Sequence, residues 1–99
     1  MWLPTARAAD LTVEQVRQIL STPEHGSGAA LAGKDLSRLD LSRLDFRQAN
    51  LVRTRFFASK LVQCNFSSAR LSGVNLNGAW LMGTDFSGAD LSRATLMSS

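Results

Sequence analysis

The residues best suited to chemistry in this 99-residue chain are Cys64, its one cysteine, and His25, its one histidine. A catalytic thiol needs exposure and a neighbouring base, and a zinc ion needs several Cys, His or carboxylate ligands. One cysteine and one histidine supply neither arrangement, and a single cysteine cannot close a disulfide within the chain. The remaining residues contain no phosphate-binding glycine loop and no catalytic triad. We therefore expect a non-enzymatic protein that holds no metal and no cofactor.

The overall composition excludes further classes of protein. Hydrophobic residues make up 44% of the chain and charged residues 19%, which is too apolar for a disordered tail. No run approaches the roughly 20 apolar residues of a membrane-spanning helix, so we expect no membrane span. The net charge is +3, and the length admits one small domain.

Every fifth residue from Leu31 to Leu96 is Leu or Phe, without exception. The residue two positions before each of these central residues is mostly small, and the residue between the two is mostly Asp or Asn. A period of five fits neither an α-helix nor a long strand, so the chain must turn a corner every five residues. The central and the small residues then face the interior, while Asp, Asn and Gly suit the corners.

Four corners close a coil, so each coil takes four repeats, and the sequence shows the same residue types in every fourth repeat. We predict that residues four repeats apart stack as core ladders, in coils about 4.8 Å apart. Fourteen repeats, four to a coil, make about 3.5 coils. The predicted ladders are Phe46, Phe66 and Phe86; Leu31, Leu51, Leu71 and Leu91; and Ala29, Ala49, Ala69 and Ala89.

The run from Asp85 to Ser92 reads Asp-Phe-Ser-Gly-Ala-Asp-Leu-Ser, and with the other repeats it resembles the pentapeptide repeat family. The resemblance covers residues 29–98 and implies an all-β fold, a right-handed quadrilateral β-helix. It implies less about function, because function lies in sites added to a fold. Some members resemble duplex DNA in shape and negative charge, and protect gyrase from quinolones by mimicking it. The net charge of +3 disfavours that function here, because a positive solenoid cannot imitate a polyphosphate.

The chain outside the repeats is predicted to protect one end of the solenoid. Thr12 and Gln15 form the capping box of a short helix, whose apolar stripe would cover the first coil. Before it, Ala6-Arg7-Ala8 resembles the cleavage site of a secretory signal. A cytoplasmic protein is favoured, and a periplasmic or secreted one is expected if the true start lies upstream. The predicted segments are a flexible N-terminus (1–10), a capping helix (11–22), a linker (23–28) and the β-helix (29–98).

The last coil has no comparable cover, and Leu96 and Met97 lie near its end. Either the protein continues beyond Ser99 or the open coil packs against a partner. End-to-end pairing recurs in the family that the chain resembles. We therefore expect a homodimer through the uncapped C-terminal coil.

Outward-facing residues must carry any binding function, because the inward positions are occupied by packing. Phe57 follows the central Phe56 and should be exposed, and an exposed apolar patch usually marks an interface. The candidate interaction surface is Phe57, Trp80, Met82 and Met97. We predict a protein–protein interaction or scaffolding module whose partner is unknown.

Basic residues concentrate between Lys34 and Lys60, and such a patch would meet the phosphates of nucleic acid or an anionic surface. The candidate basic surface is Arg38, Arg43, Arg47, Arg53, Arg55 and Lys60. Because these residues fall at different corners of the coil, an ordinary solvated surface stays the competing interpretation. Binding to nucleic acid or another polyanion is therefore the alternative function.

Overall fold

The computed structural model describes residues 9–99, so the Ala6-Arg7-Ala8 motif lies outside the described residues. The one helix in this range, α1, spans Val13–Leu20 and is shorter than the predicted 11–22. Thr12 is its N-cap: the Thr12 hydroxyl accepts a hydrogen bond from the Gln15 N–H, and the Gln15 side chain accepts one from the Thr12 N–H. This reciprocal capping fixes where the helix begins.

Helix α1 packs its apolar face against the first coil of the repeats. Val16 is fully buried and Leu20 is 7% exposed, and both belong to the same core cluster as Leu31. Val13 and Ile19 pack against the edge of that cluster. Leu31 is fully buried although no coil within residues 9–99 precedes its own, because helix α1 supplies the cover that a preceding coil would otherwise give.

The repeats stack in coils of four repeats each. Nine isolated parallel β-bridges occur between Asp35 and Thr95, and each joins a residue to its equivalent four repeats later, as Asp35 is joined to Arg55. A turn separates each bridging residue from the next one along the chain. Bridges therefore stay single, and no extended strand forms in residues 9–99. The four bridge rows are Asp35, Arg55, Asn75 and Thr95; Asp40, Lys60 and Trp80; Asp45, Asn65 and Asp85; and Asn50, Arg70 and Asp90.

The stack has four sides, and each side consists of a bridge row together with the four residues that follow each bridging residue. Side 1 is 35–39, 55–59, 75–79 and 95–99; side 2 is 40–44, 60–64 and 80–84; side 3 is 45–49, 65–69 and 85–89; side 4 is 50–54, 70–74 and 90–94.

Backbone hydrogen bonds explain why the repeat needs these residue types. A central residue donates its N–H to the next coil, as Leu41 does to the Lys60 carbonyl at 2.9 Å, and the bridging Lys60 donates back to the Leu39 carbonyl at 2.9 Å. The residue after a central residue lacks such a partner. Its N–H is met by the preceding Asp or Asn side chain, as in the 2.9 Å bond from Ser67 to Asn65 Oδ1. Asp and Asn therefore recur because they satisfy a backbone donor at the corner.

The interior is a column of stacked apolar side chains. The Phe46 and Phe66 rings stack with centroids 4.8 Å apart, and the Phe66 and Phe86 rings stack at 5.3 Å. Phe56 meets Phe46 and Phe66 edge-on at 6.1 and 6.0 Å. Both arrangements suit the quadrupoles of aromatic rings, so the core gains specific ring contacts in addition to burial.

Small polar residues at the inward positions form hydrogen bonds between coils. The Thr54 hydroxyl donates to the Leu31 carbonyl at 2.9 Å, and the Ser59 hydroxyl to the Leu36 carbonyl at 2.7 Å. Thr84 makes the same kind of bond to the Leu61 carbonyl of the coil before it. Because buried hydroxyls need partners, these bonds allow polar residues inside the coil and tie adjacent coils together.

The regular coil begins later than Ala29, which is exposed and does not join the ladder of Ala49, Ala69 and Ala89. In the regular coils Arg70 donates its N–H to the Ala49 carbonyl, whereas the equivalent Asn50 N–H donates to the Gly26 carbonyl at 2.8 Å. Gly26 therefore takes the place predicted for Ala29. It is buried at φ +74°, and a Cβ there would lie 3.2 Å from both Leu20 and Leu31, so the linker is part of the packed end.

We expect Gly26→Ala to destabilise the protein more than Gly33→Ala. Both glycines have a left-handed φ, +74° and +70°, which costs an alanine about 1 kcal/mol. A Cβ at Gly33 meets nothing within 4 Å, whereas one at Gly26 crowds Leu20, Leu31 and Ala49. Overpacking then adds about 1–3 kcal/mol at Gly26 alone. Equal losses in free energy of unfolding, measured by urea denaturation, would contradict this packing of the linker.

The corner aspartates make the fold sensitive to acid. Hydrogen bonds from the Ser87 hydroxyl and N–H lower the pKa of Asp85, and those from the Ser92 N–H and hydroxyl lower the pKa of Asp90. A folded pKa below the unfolded value means that the stabilisation is present above about pH 4 and is lost as pH falls further.

We therefore expect the double variant Asp85→Asn, Asp90→Asn to lose less stability than the parent when pH falls from about 5 to about 2.5. At neutral pH the variant should fold normally, because Asn65 and Asn75 already hold equivalent corners with their own Oδ1 atoms. Urea denaturation at each pH measures the difference, and parallel acid profiles would show that these carboxylates do not contribute.

Candidate interaction surfaces

The four predicted apolar residues are exposed, but the structure places them on two sides of the stack. Phe57 and Met97 both lie on side 1, with Asn77 between them, and the Met97 N–H donates to Asn77 Oδ1 at 2.9 Å. Trp80 ends a bridge row on side 2, and Met82 follows two residues later. No ring contact joins Phe57 to Trp80 in residues 9–99, so the two aromatic residues lie apart.

The two exposed aromatic rings of residues 9–99, Phe57 and Trp80, are each covered by a cation from the preceding coil. Lys60 Nζ lies 4.9 Å from the centre of the Trp80 ring, and the Arg38 guanidinium carbon lies 5.3 Å from that of Phe57. Such contacts contribute about 0.5–1 kcal/mol at exposed sites. Two residues predicted for the basic surface thus pack on two predicted for the apolar surface, and the two candidate surfaces overlap.

The largest apolar exposure is in the last coil, residues 80–99. Central residues in the earlier coils are fully buried, whereas Leu81, Phe86 and Leu91 are partly exposed and Leu96 is 47% exposed. Leu81 and Leu96 are not among the four residues predicted for the interaction surface, because their position in the repeat is inward, although Leu96 was predicted to lie near the uncovered end of the last coil. Their exposure follows from that place, since no later coil within residues 9–99 covers them.

The same coil has an open backbone edge. Within residues 9–99, the N–H groups of Leu81, Phe86 and Leu91 have no hydrogen-bond partner on a following coil, unlike the equivalent group of Leu61, which bonds the Trp80 carbonyl at 2.8 Å. An unpaired row of backbone groups beside exposed apolar side chains is a template for pairing with another chain.

The predicted basic residues surround the stack. Arg38 and Arg55 lie on side 1, Arg43 and Lys60 on side 2, Arg47 on side 3 and Arg53 on side 4. Arg47 is bound to Asp45 through Nε and Nη2, at 2.9 and 2.8 Å, and Arg43 donates from Nε to Gln63 at 3.3 Å. The structure therefore brings no groove of cations together on one side.

Cys64 is buried, and its thiol donates to the Leu41 carbonyl at 3.0 Å. Burial raises the pKa of this thiol to about 11, so the nucleophilic thiolate is scarce at neutral pH. No group of three metal-binding side chains occurs in the described part of the chain. Among residues 9–99, no helix has the length and apolar character needed to cross a bilayer.

Coils built from five-residue repeats, with a bridge from each repeat to the fourth one after it, define a solenoid of the pentapeptide type. The family model for pentapeptide repeats matches eight copies, in residues 27–56, 49–88 and 59–97. The chain therefore belongs to the pentapeptide repeat family. No curated protein matches it.

Solved structures of pentapeptide repeat proteins are similar to this chain. One from the Arabidopsis thaliana thylakoid lumen is 39% identical over 68% of this chain and 46% of its own, with a TM-score of 0.67. One from the cyanobacterium Cyanothece 51142 is 22% identical over 63% of each chain, with a TM-score of 0.45. HetL from Nostoc sp. strain PCC 7120, involved in heterocyst differentiation regulation, is 28% identical over 66% of this chain and 41% of its own, with a TM-score of 0.26. The chain thus spans about half the length of the Arabidopsis protein.

A double-mutant cycle tests the contact between Lys60 and Trp80. We expect Lys60→Gln and Trp80→Leu to be coupled by about 0.5 kcal/mol in the free energy of unfolding, because either change removes the same cation–π contact. Lys60→Gln combined with Phe57→Leu is the matched control and should be additive, since Arg38 rather than Lys60 covers Phe57. Additive losses in both cycles would show that the Lys60 contact contributes nothing.

Proposed function

We propose that this chain is a non-enzymatic interaction module that binds a protein surface through its last coil, residues 80–99. One observation carries the proposal: the central Leu and Phe residues are fully buried in the earlier coils but become exposed in this one, up to 47% at Leu96. Trp80, Met82 and Met97, which are 53%, 69% and 69% exposed, belong to the same coil. Apolar exposure concentrated in one coil favours an interface.

A second copy of the chain is the partner that fits this end. Helix α1 covers the opposite end, with Val16 and Leu20 buried against the core, so head-to-tail stacking is blocked. Two copies joined through residues 80–99 would bury their apolar coils together and leave both helices outward. A two-fold contact of this kind is closed and self-complementary.

We also infer the finer architecture that the family resemblance implies. A right-handed quadrilateral β-helix is supported by the four bridge rows, in which every fourth repeat pairs. A division into a capping segment and a repeat segment at 29–98 is supported by the position of α1, with the addition that Gly26 already packs in the first coil.

Sedimentation of the full chain tests the homodimer. The parent should associate reversibly, and Leu96→Lys should weaken association at least about tenfold, because it places a charge in the buried centre of the contact. Phe57→Lys is the control: it adds the same charge to an exposed apolar residue outside residues 80–99. A parent that stays monomeric at high concentration, or a Phe57→Lys variant that dissociates more than Leu96→Lys, would contradict the proposal. Circular dichroism checks that both variants fold.

Binding to nucleic acid or another polyanion is the second candidate function. It is supported by Arg38, Arg43 and Arg53, which are exposed and form no ion pair with the described residues. These three lie on sides 1, 2 and 4, so a rigid duplex would contact only part of the set at once. This dispersal makes polyanion binding the weaker candidate.

A further inference from the structure

The sequence contains one Asn-Gly pair, Asn77-Gly78, which lies in a turn on side 1 of the stack. The backbone nitrogen that follows the asparagine is unhindered there, because glycine carries no side chain. Asparagine is chemically labile where such a nitrogen reaches its side-chain amide carbon. The other three asparagines, Asn50, Asn65 and Asn75, each precede a buried Leu or Phe. The sequence therefore singles out Asn77 as the asparagine most open to deamidation.

The structure holds both reacting groups through one residue, Met97. The Gly78 N–H donates to the Met97 carbonyl at 2.8 Å, and the Met97 N–H donates to Asn77 Oδ1 at 2.9 Å. The Asn77 carbonyl in turn accepts a hydrogen bond from the Ala58 N–H at 3.0 Å. A backbone nitrogen attacks only after it loses its proton, and the hydrogen bond to Met97 retains that proton. Asn77-Gly78 is thus protected while Met97 stays in place.

Residues 95–99, which include Met97, are the least covered part of side 1. Within residues 9–99, this segment is joined to the coil before it by two backbone hydrogen bonds at Thr95 and the two bonds of Met97. Leu96 is 47% exposed and Met97 69%. Segments with few buried contacts open locally at a smaller free-energy cost than global unfolding. Local opening here releases both reacting groups at once.

We propose that Asn77-Gly78 is a deamidation site whose reactivity is controlled by residues 95–99. When that segment opens, the Gly78 nitrogen forms a bond to Asn77 Cγ and the bond from Cγ to Nδ2 breaks. The side-chain nitrogen leaves as ammonia, taking the proton of the Gly78 N–H, and a cyclic succinimide forms. Water then opens the ring at Cγ to give aspartate, or at the main-chain carbonyl carbon to give isoaspartate.

The two products change the stack differently. Aspartate keeps an Oδ atom for the Met97 N–H and adds one negative charge between Phe57 and Met97 on side 1. Isoaspartate adds a carbon to the main chain between Asn77 and Gly78, which displaces the residues that follow from their partners in the coil before. Either product makes a transient opening permanent. The reaction needs no partner, so it is independent of the proposed homodimer.

Mass spectrometry of the dilute chain at mildly alkaline pH tests the proposal, and fragmentation of the peptide that contains residue 77 identifies the site and the product. We expect slow reaction at Asn77 in the folded parent, and reaction at least about tenfold faster in urea, where Met97 no longer protects it. Without urea, Thr95→Pro should also react about tenfold faster than the parent, because proline lacks the N–H that Thr95 donates to Val74. Thr95→Ala is the matched control, since it keeps this N–H and should react at the rate of the parent.

A second variant tests the chemistry of the attack. Gly78→Ala should slow the reaction at least about tenfold, in the folded chain and in urea alike, because a methyl group hinders the nitrogen. The variant should fold, because Ala58 holds the equivalent position at φ +57° and a Cβ at Gly78 would lie 3.7 Å from the Ala58 nitrogen, an ordinary contact. Circular dichroism checks the fold of each variant.

Hydrogen exchange of the parent measures the opening without any variant. The Gly78 amide should exchange at least about tenfold faster than the Ala58 amide, whose acceptor, the Asn77 carbonyl, lies outside residues 95–99. Equal protection of the two amides, or a Thr95→Pro variant that folds but reacts no faster than Thr95→Ala, would show that residues 95–99 do not control the site. Equal rates for the folded and the unfolded parent, or equal modification at Asn50, Asn65 and Asn75, would also overturn the proposal.

Discussion

The structure depends on one constraint: each bridging residue must pair with its equivalent four repeats later. A slip of one residue in any repeat would turn central Leu or Phe side chains outward in all the coils that follow. The ring stack of Phe46, Phe66 and Phe86 and the hydroxyl bonds of Thr54 and Ser59 reinforce the same register from inside the coil. Backbone pairing and core packing thus specify the same alignment.

The corners show how this alignment shapes the surface. Each corner has a residue with positive φ, which is glycine in some coils and a larger residue in others. A Cβ at Gly73 would lie 3.2 Å from the Arg53 side chain, and one at Gly83 would lie 3.1 Å from Gln63. Glycine in one coil therefore makes room for the side chain of the coil before it. The arginines of the first coils are part of this steric arrangement as well as a source of positive charge.

The repeats and the start of α1 were predictable from the sequence. The five-residue period, the inward positions and the capping box of Thr12 and Gln15 are all local patterns, which need no knowledge of the rest of the fold. The failures lie where the period ends. Ala29 fits the repeat, but Gly26 takes its structural place because α1 and the linker compete for the first coil. The approach of His25 to Asp45 could not be predicted either, since the linker follows no repeat. The exposure of Leu96, by contrast, follows from counting the repeats, because its inward position falls in the last coil.

Binding sites are favoured at those same interruptions for a physical reason. Along the sides, polar groups are already matched: the hydrogen bond from Ser37 lowers the pKa of Asp35, and the charge of Arg55 on the next coil lowers it further. Lys60 likewise covers the Trp80 ring. A surface whose groups already satisfy one another gains little from a partner, because the partner must first replace existing contacts. At the last coil, the apolar side chains have no later coil within residues 9–99 to cover them. A partner would gain free energy there without displacing a contact of the fold.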